Sequence, residues 1–426
     1  MKHRQFGWLV GCALLHGWVC AGEAWPAFRG PQGDGAVTGA KLPLRWSEAE
    51  NVRWKTAIPH LGWSTPVVQD HRVWLTSATT NGQDYFAFCV DAASGKILFE
   101  KRLFHCDKPE PLGNAVNCYA SPSPAVEQGR AYVHFGSYGT ACLDTGSGEV
   151  LWTREDLKCR HYRGPGSSVM LYRDLLVLTL DGVDVQYVTA LDKRTGKTVW
   201  KTDRAIKWND LDEKGQPKRE GDYRKAFATP LVIRVGGKDL LVSPASSVLF
   251  AYEPGTGQEV WRVVNKAYSP SVSPVFGAGL VLAVTGRGIP EMLGIRPDGT
   301  ADVTDSHVVW RVPGKDVPLT PSPVVIGGLL YMLADPGVMT CLEAASGKTV
   351  WRERVGGNCI ASPIQDGERI YIFSLSGKTT VIRAGRTFEK LAENPLDAGF
   401  MASPAVADDS LFLRTKTHLY RIGATR

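Results

Sequence analysis

Asp181 and Asp184, three residues apart in LDGVDVQ, are the acids of this sequence that come nearest to half of a calcium site. Calcium takes roughly six to eight oxygen ligands, and Asp beside Gly ordinarily makes a turn, so the pair predicts a turn and no metal centre. The nine histidines show no metal-ligand spacing. No Ser, His and acid constellation can be assembled from sequence order, so no catalytic residue is assigned. A Cys-x-x-Cys-His haem attachment is absent, as is any pair of adjacent cysteines. Cys142 and Cys159 are candidates for a disulfide in an oxidising compartment, although sequence alone does not supply the geometry. Cys89, Cys142 and Cys341 hold equivalent places in FCVDAASG, ACLDTGSG and TCLEAASG and read as small buried hydrophobes.

The chemistry that remains is recognition. Trp63, Tyr119, His161, Arg163, Arg224, Lys225, Tyr268, Asn358 and Phe400 fall in the segments between repeated units. If those segments share a face, aromatic rings and cations converge there, able to stack on sugars or peptides and to pair with carboxylates or phosphates. The bland alternative is that the rings plug a channel and the cations are solvated. HYRGPGSS (161–168) has the Gly and Pro of a compact turn that aims Arg163 inward. FRGPQGDG (28–35) repeats its Arg-Gly-Pro core and reads either as a cap on one face or as a flexible linker. Two long insertions, 105–119 and 201–227, are expected to contact a partner, solvated disorder being the alternative.

The elements that must position these residues are repeats. CLDTGSGEVLWT (142–153) returns as CLEAASGKTVWR (341–352), with relatives VDAASGKILFE (90–100), LDKRTGKTVWK (191–201) and YEPGTGQEVWR (252–262). Each reads as two antiparallel strands joined by a tight Gly hairpin, with an aromatic on the second strand. A phosphate loop would need its glycines to lead into a helix; here each leads into another strand. A second motif opens each unit, with Pro66, Pro124, Pro230, Pro274, Pro323, Pro363 and Pro404 at strand starts and Ser168 in the eighth place. Trp54, Phe99, Trp152, Trp200, Trp261, Trp310, Trp351 and Phe388 mark eight aromatic ends. The two counts agree but are offset: Trp54 precedes the first start, and the last unit lacks a fourth strand. The prediction is an all-β, eight-bladed β-propeller of four-stranded antiparallel blades, closed by the strand around Trp54 pairing beside HLYRIG.

The N-terminus reads as a secretory signal over 1–24, with Lys2 and Arg4 before an apolar run from Phe6 to Cys20. LVGC (9–12) offers a second reading, a lipoprotein box with Cys12 lipidated. An N-terminal extension (25–50) and the propeller (51–426) follow. The formal charge of +6, with both signs interleaved, does not imply nucleic acid. No later segment reads as membrane-spanning, and a periplasmic or secreted monomer is expected.

The D-x-x-[TS]-G-[KE]-x-x-W pattern resembles the pyrroloquinoline-quinone-like propeller repeat, in which each outer-strand Trp docks on the neighbouring blade. WPAFRGPQGDG (25–35) and LPLRWSEAENVRWKT (42–56) resemble a secreted bacterial subgroup similar to the propeller lipoprotein of outer-membrane assembly. The resemblance implies one of two functions. One is a non-catalytic envelope scaffold binding a protein or polymer, without cofactor; the other is a quinone- and calcium-dependent dehydrogenase of alcohols or sugars.

Overall fold

The computed structural model describes residues 24–424 apart from 115 and 209. The signal segment and Cys12 lie outside the described residues. Eight antiparallel sheets follow one another around a ring. In blade 3, for example, the strands Met170–Tyr172, Leu175–Asp181, Gln186–Asp192 and Thr198–Asp203 pair in chain order from the hub outward. Closure occurs where the offset motifs require it. Val52–Ala57 pairs antiparallel with His418–Ile422, with Lys55 opposite Tyr420, and becomes the outer strand of blade 8.

Blade 4 departs from the expected four strands. Its outer strand, Glu259–Val264, carries a fifth and parallel strand, Ala301–Asp302, supplied by the long hairpin of blade 5. That strand covers an edge which the other blades leave to short, charged strands.

The repeated motif is an inter-blade joint. The indole N–H of Trp54 donates to Ala92 O at 3.0 Å, that of Trp152 to Lys193 O at 3.1 Å, and that of Trp310 to Ala344 O at 3.2 Å; Trp200, Trp261 and Trp351 do likewise. Each acceptor belongs to the hairpin of the next blade. The Gly of that hairpin is a socket as well as a turn: Gly196 has φ +71°, and a β-carbon there would lie 2.7 Å from the Trp152 ring. On the facing strand, Cys89, Cys142 and Cys341 stand opposite Phe99, Trp152 and Trp351. All three are buried free thiols, and burial pushes Cys142 up to about 12, so they act as small core residues.

Blade 7 breaks the aromatic count. Phe388 lies in the hairpin before the outer strand Lys390–Pro395, where it packs edge-on against Trp351 of blade 6. Ala392 holds the register position of the missing Trp, opposite Val381. The N-terminal extension repairs the gap. Trp46 stacks on Tyr371 with centroids 6.3 Å apart, much as Trp152 packs on Tyr132 and Trp351 on Tyr331. Its backbone N–H donates to Asn394, whose amide returns a bond to Leu44 O.

The rest of the extension crosses the channel. Trp25 exchanges backbone bonds of 2.8 Å with Val68 of blade 1, Val126 of blade 2 donates to Pro26 O, and Val37 donates to Gln365 O of blade 7. Arg29 is buried and reaches the carbonyls of Ser322 and Pro323 at the start of the inner strand of blade 6. A segment bound to blades 2 and 6, on opposite sides of an eightfold ring, must span the hub. FRGPQGDG is therefore a plug, and residues 25–50 are built into the propeller rather than appended to it.

Candidate functional site

Above the plug lies a cavity of about 440 Å³ on the channel axis. Phe28 forms part of its floor, and its upper wall comes from the segments linking successive blades. With one end crossed by the plug, the channel is a cup open toward the linking loops.

Its waist is a circle of hydroxyls. The residue before each strand-opening proline is Thr65, Ser123, Thr229, Ser273, Ser322, Ser362 or Ser403; in blade 3 Ser168 holds this same place and Val169 stands where the proline would be, one residue on from the place that spacing gave to Ser168, and all eight are buried. Thr65 N–H donates to Ser123 Oγ at 2.9 Å, Ser123 N–H to Ser168 Oγ at 2.9 Å, and Ser168 N–H to Thr229 Oγ1 at 2.9 Å. The sequence Ser273, Ser322, Ser362, Ser403 continues the pattern at 2.9–3.0 Å. Six of the hydroxyls thus satisfy a backbone donor at the start of the preceding blade, in two runs of three bonds, while Thr65 Oγ1 and Ser273 Oγ accept none among the described residues. Six of these hydroxyl residues line the cavity. The seven prolines of [ST]-P were legible in the sequence and the hydroxyls beside them were not, although a hydroxyl precedes every one and recurs as Ser168 in the unit without proline.

The rim is basic and aromatic. Of the residues expected at the rim, Trp63, Arg163 and Tyr268 line the cavity, with Arg219, Tyr223 and Arg287 beside them. Tyr268 and Arg287 exchange backbone bonds across blades 4 and 5, at 3.0 and 2.6 Å. The Tyr223 ring meets Tyr268 edge-on at 4.4 Å, and the Arg219 guanidinium lies over Tyr223 at 5.2 Å. Arg219, Tyr223, Tyr268 and Arg287 therefore form one patch. The segment carrying Arg219 is held in three successive left-handed residues, Arg219, Glu220 and Gly221, at φ +51°, +57° and +81°.

Arg163 is occupied. Its Nε and Nη2 hold Asp222 at 2.8 and 2.7 Å, and its Nη1 donates to Gly113 O at 2.8 Å. The Lys225 ammonium bonds the same carboxylate from below, fully buried against Tyr162 and Phe227. Burial, reinforced by Arg163 and Arg287, pulls Lys225 down to about 7. Asp222 is the one carboxylate on the cavity wall among the described residues.

The remaining expected site residues do not reach the cup. Tyr119 is buried against Tyr85 and Tyr138, its hydroxyl donating to Glu110 O at 2.9 Å. His161 faces inward, its Nε2 accepting Ser137 N–H at 3.0 Å, and burial lowers it to about 4. Arg224 closes a bidentate pair with Asp210 at 2.6 and 2.8 Å, so it braces the 201–227 insertion instead of facing the hub. Phe400 is core, edge-on to Phe373, and Asn358 is exposed on its loop. Aromatics near a hub serve packing first, because rings left in water forfeit their burial energy.

The Cys142–Cys159 disulfide is not formed: Cys142 is locked in its strand opposite Trp152, while Cys159 Sγ lies 3.6 Å from both Ser137 Oγ and His161 Nε2. The acids of LDGVDVQ are also explained. Asp181 is buried in a two-pronged pair with Arg204 at 2.7 and 2.9 Å between blades 3 and 4, and Asp184 accepts the backbone N–H groups of Arg160 and Val185.

The insertion 105–119 is woven into the rim. Asn114 and Asn117 both donate to Arg163 O, Asn117 also to Pro165 O, and Trp63 donates to Val116 O. Apolar side chains nevertheless remain exposed on this face at Val116, Val185, Leu211 and Ile289.

A model of the family described as outer membrane protein assembly factor BamB matches residues 44–203 and 184–425. The chain belongs to the BamB family. BamB of Yersinia pestis is 23% identical over 247 residues, spanning 46% of this chain and 59% of that relative's length. Among solved structures, BamB from Moraxella catarrhalis superposes with a TM-score of 0.59 at 10% identity, covering 87% of this chain and 99% of that one. The quinohemoprotein alcohol dehydrogenase from Comamonas testosteroni gives 0.66 at 12% identity, covering 95% and 81%. At such identities these structures show the shared fold alone.

The fold is also that of quinone enzymes, so the cup can be tested for a calcium-bound quinone. Its donor set does not fit. Among the described residues no three His, Cys, Asp or Glu side chains are placed to hold a metal ion together, and Asp222 is already bonded by Arg163 and Lys225. The carbonyls of Asn114 and Asn117 each accept two bonds from neighbouring protein donors. The charged side chains on the cavity wall are three arginines and this one paired carboxylate, a poor match to the roughly six to eight oxygens that calcium takes.

Proposed function

We propose that this protein is a non-catalytic recognition propeller of the bacterial cell envelope, which uses the loop-bearing face around the cup to hold a protein or polymer partner. The observation that carries this reading is the rim itself. Arg219, Tyr223, Tyr268 and Arg287 form a continuous aromatic and cationic patch at the mouth of a preformed cavity, flanked by exposed Val116 and Ile289. Anchoring rings and Arg ringed by apolar surface are the ingredients of interface hot spots. BamB membership and the secretory character of residues 1–24 support an envelope location.

The test is capture of partners from native envelope by the purified protein, compared with Tyr268→Ala and Ile289→Asp variants of unchanged melting temperature. Loss of a specific partner supports the reading, and capture equal to wild type counts against it. The dehydrogenase reading is tested alongside. Reduction of an artificial acceptor with alcohols or sugars, after loading with the quinone and calcium, would replace the scaffold by an enzyme.

A further inference from the structure

We infer that the cup is a metal-free binding site for an organic carboxylate, received by Arg219 and Arg287 at the rim and by the hydroxyl circle below. This deepens the recognition reading by naming the chemistry that the cavity itself takes.

The charge balance of the cavity comes first. Three arginines line it against one carboxylate, and that carboxylate is already shared by Arg163 and Lys225. Arg219 and Arg287 have no carboxylate or carbonyl partner among the described residues, whereas Arg163, Arg204 and Arg224 all do. A guanidinium matches a carboxylate in a planar fork, and two of them beside tyrosine faces attract an anion with an organic body. Lys225, buried behind the wall, is already paired with Asp222 and leaves the free positive charge of the cavity to Arg219 and Arg287.

The waist is the second, independent observation. Each hydroxyl of the circle that accepts a neighbour's N–H keeps its own hydrogen free to donate inward. Thr65 is 1% exposed and lines the cavity, yet its Oγ1 has no hydrogen-bond partner among the described residues. A buried polar atom without a partner, on a residue of a cavity wall, has hydrogen-bonding capacity to spare for an acceptor. The plug fixes the shape of the ligand. A channel crossed by residues 25–37 admits a chain end or a small molecule, and not a strand threaded through.

The carboxylate therefore comes from one of two sources, the free C-terminus of a polypeptide or a small organic acid, and the experiment separates them. Calorimetric titration of the full mature protein, freed of calcium by chelator, uses the tripeptide Gly-Gly-Leu, its C-terminal amide, and citrate as probes. The site binds the peptide acid or citrate at low ionic strength, the amide at least tenfold more weakly, and affinity falls with added salt. Arg219→Gln and Arg287→Gln each weaken the acid about tenfold without moving the melting temperature, and Thr65→Val weakens it less. Binding of citrate alone assigns a small acid, and binding of the peptide acid assigns a chain end. No binding of either acid, equal binding of acid and amide, binding only when calcium is restored, or arginine variants with unchanged affinity overturns the inference. Partner capture by the same variants keeps the two readings apart: variants that lose the acid but keep the partner leave a carboxylate cup distinct from the docking face.

Discussion

Replacing Trp46 by Ala tests whether the N-terminal extension is a working part of the ring. Trp46 is 2% exposed and fills the slot that blade 7 leaves empty at Ala392, stacked on Tyr371. A buried Trp truncated to Ala costs about 3–5 kcal/mol, through lost burial and the cavity left behind. The indole N–H of Trp46 has no acceptor among the described residues, so no side-chain hydrogen bond to them is lost in the exchange. Trp46→Phe should accordingly cost much less, about 1–2 kcal/mol, since it keeps most of the ring and discards an unpartnered donor. The assay is urea unfolding followed by far-ultraviolet dichroism, with Trp351→Ala as the comparison from an ordinary blade. Trp46→Ala should fall near Trp351→Ala. A cost under about 1 kcal/mol would show that the extension merely rests on the propeller, refuting the slot-filling argument.

The plug, the hydroxyl circle and a buried histidine give three more expectations. Arg29→Ala strands four backbone carbonyls and should cost about 2–4 kcal/mol, with new protease cleavage between residues 25 and 40; an uncut chain of wild-type stability would remove the plug. Ser362→Ala takes the acceptor from Ser322 N–H and should cost about 1–2 kcal/mol by urea midpoint, with Ser362→Thr near neutral. His134 is buried beside Thr140 Oγ1 at 2.8 Å, and burial lowers it to about 3. Its unfolded form takes up a proton below about pH 6.5 while the native form does not, so stability is full above that value and falls as pH drops toward 3. The loss is about 2 kcal/mol by pH 5, and His134→Gln should flatten that part of the stability profile.

The ring and its closure were legible because both are periodic. Seven prolines and an offset aromatic strand at each end leave one way to complete eight sheets. Parts that break the period were not legible. Phe388 looks like an outer-strand aromatic by spacing, yet one hairpin distortion places it against Trp351, while Trp46 substitutes from nearly 350 residues away in sequence. The site was half visible. Trp63, Arg163 and Tyr268 follow from their linking segments, but Arg219, Tyr223 and Arg287 depend on how an aperiodic insertion and one hairpin turn fold back over the hub. Tyr119, His161 and Phe400 sit in the right segments and point the wrong way, a choice made by packing and carried by no local signal.

Site-specific photo-crosslinking in native envelope tests the central claim most directly, with the reactive group placed at Ile289 on the cup rim and, separately, at Val309 on the outer edge of blade 5. A discrete adduct from position 289 and none from 309 is the expected result. Adducts from 309 alone would put recognition on the propeller's flank and contradict the account.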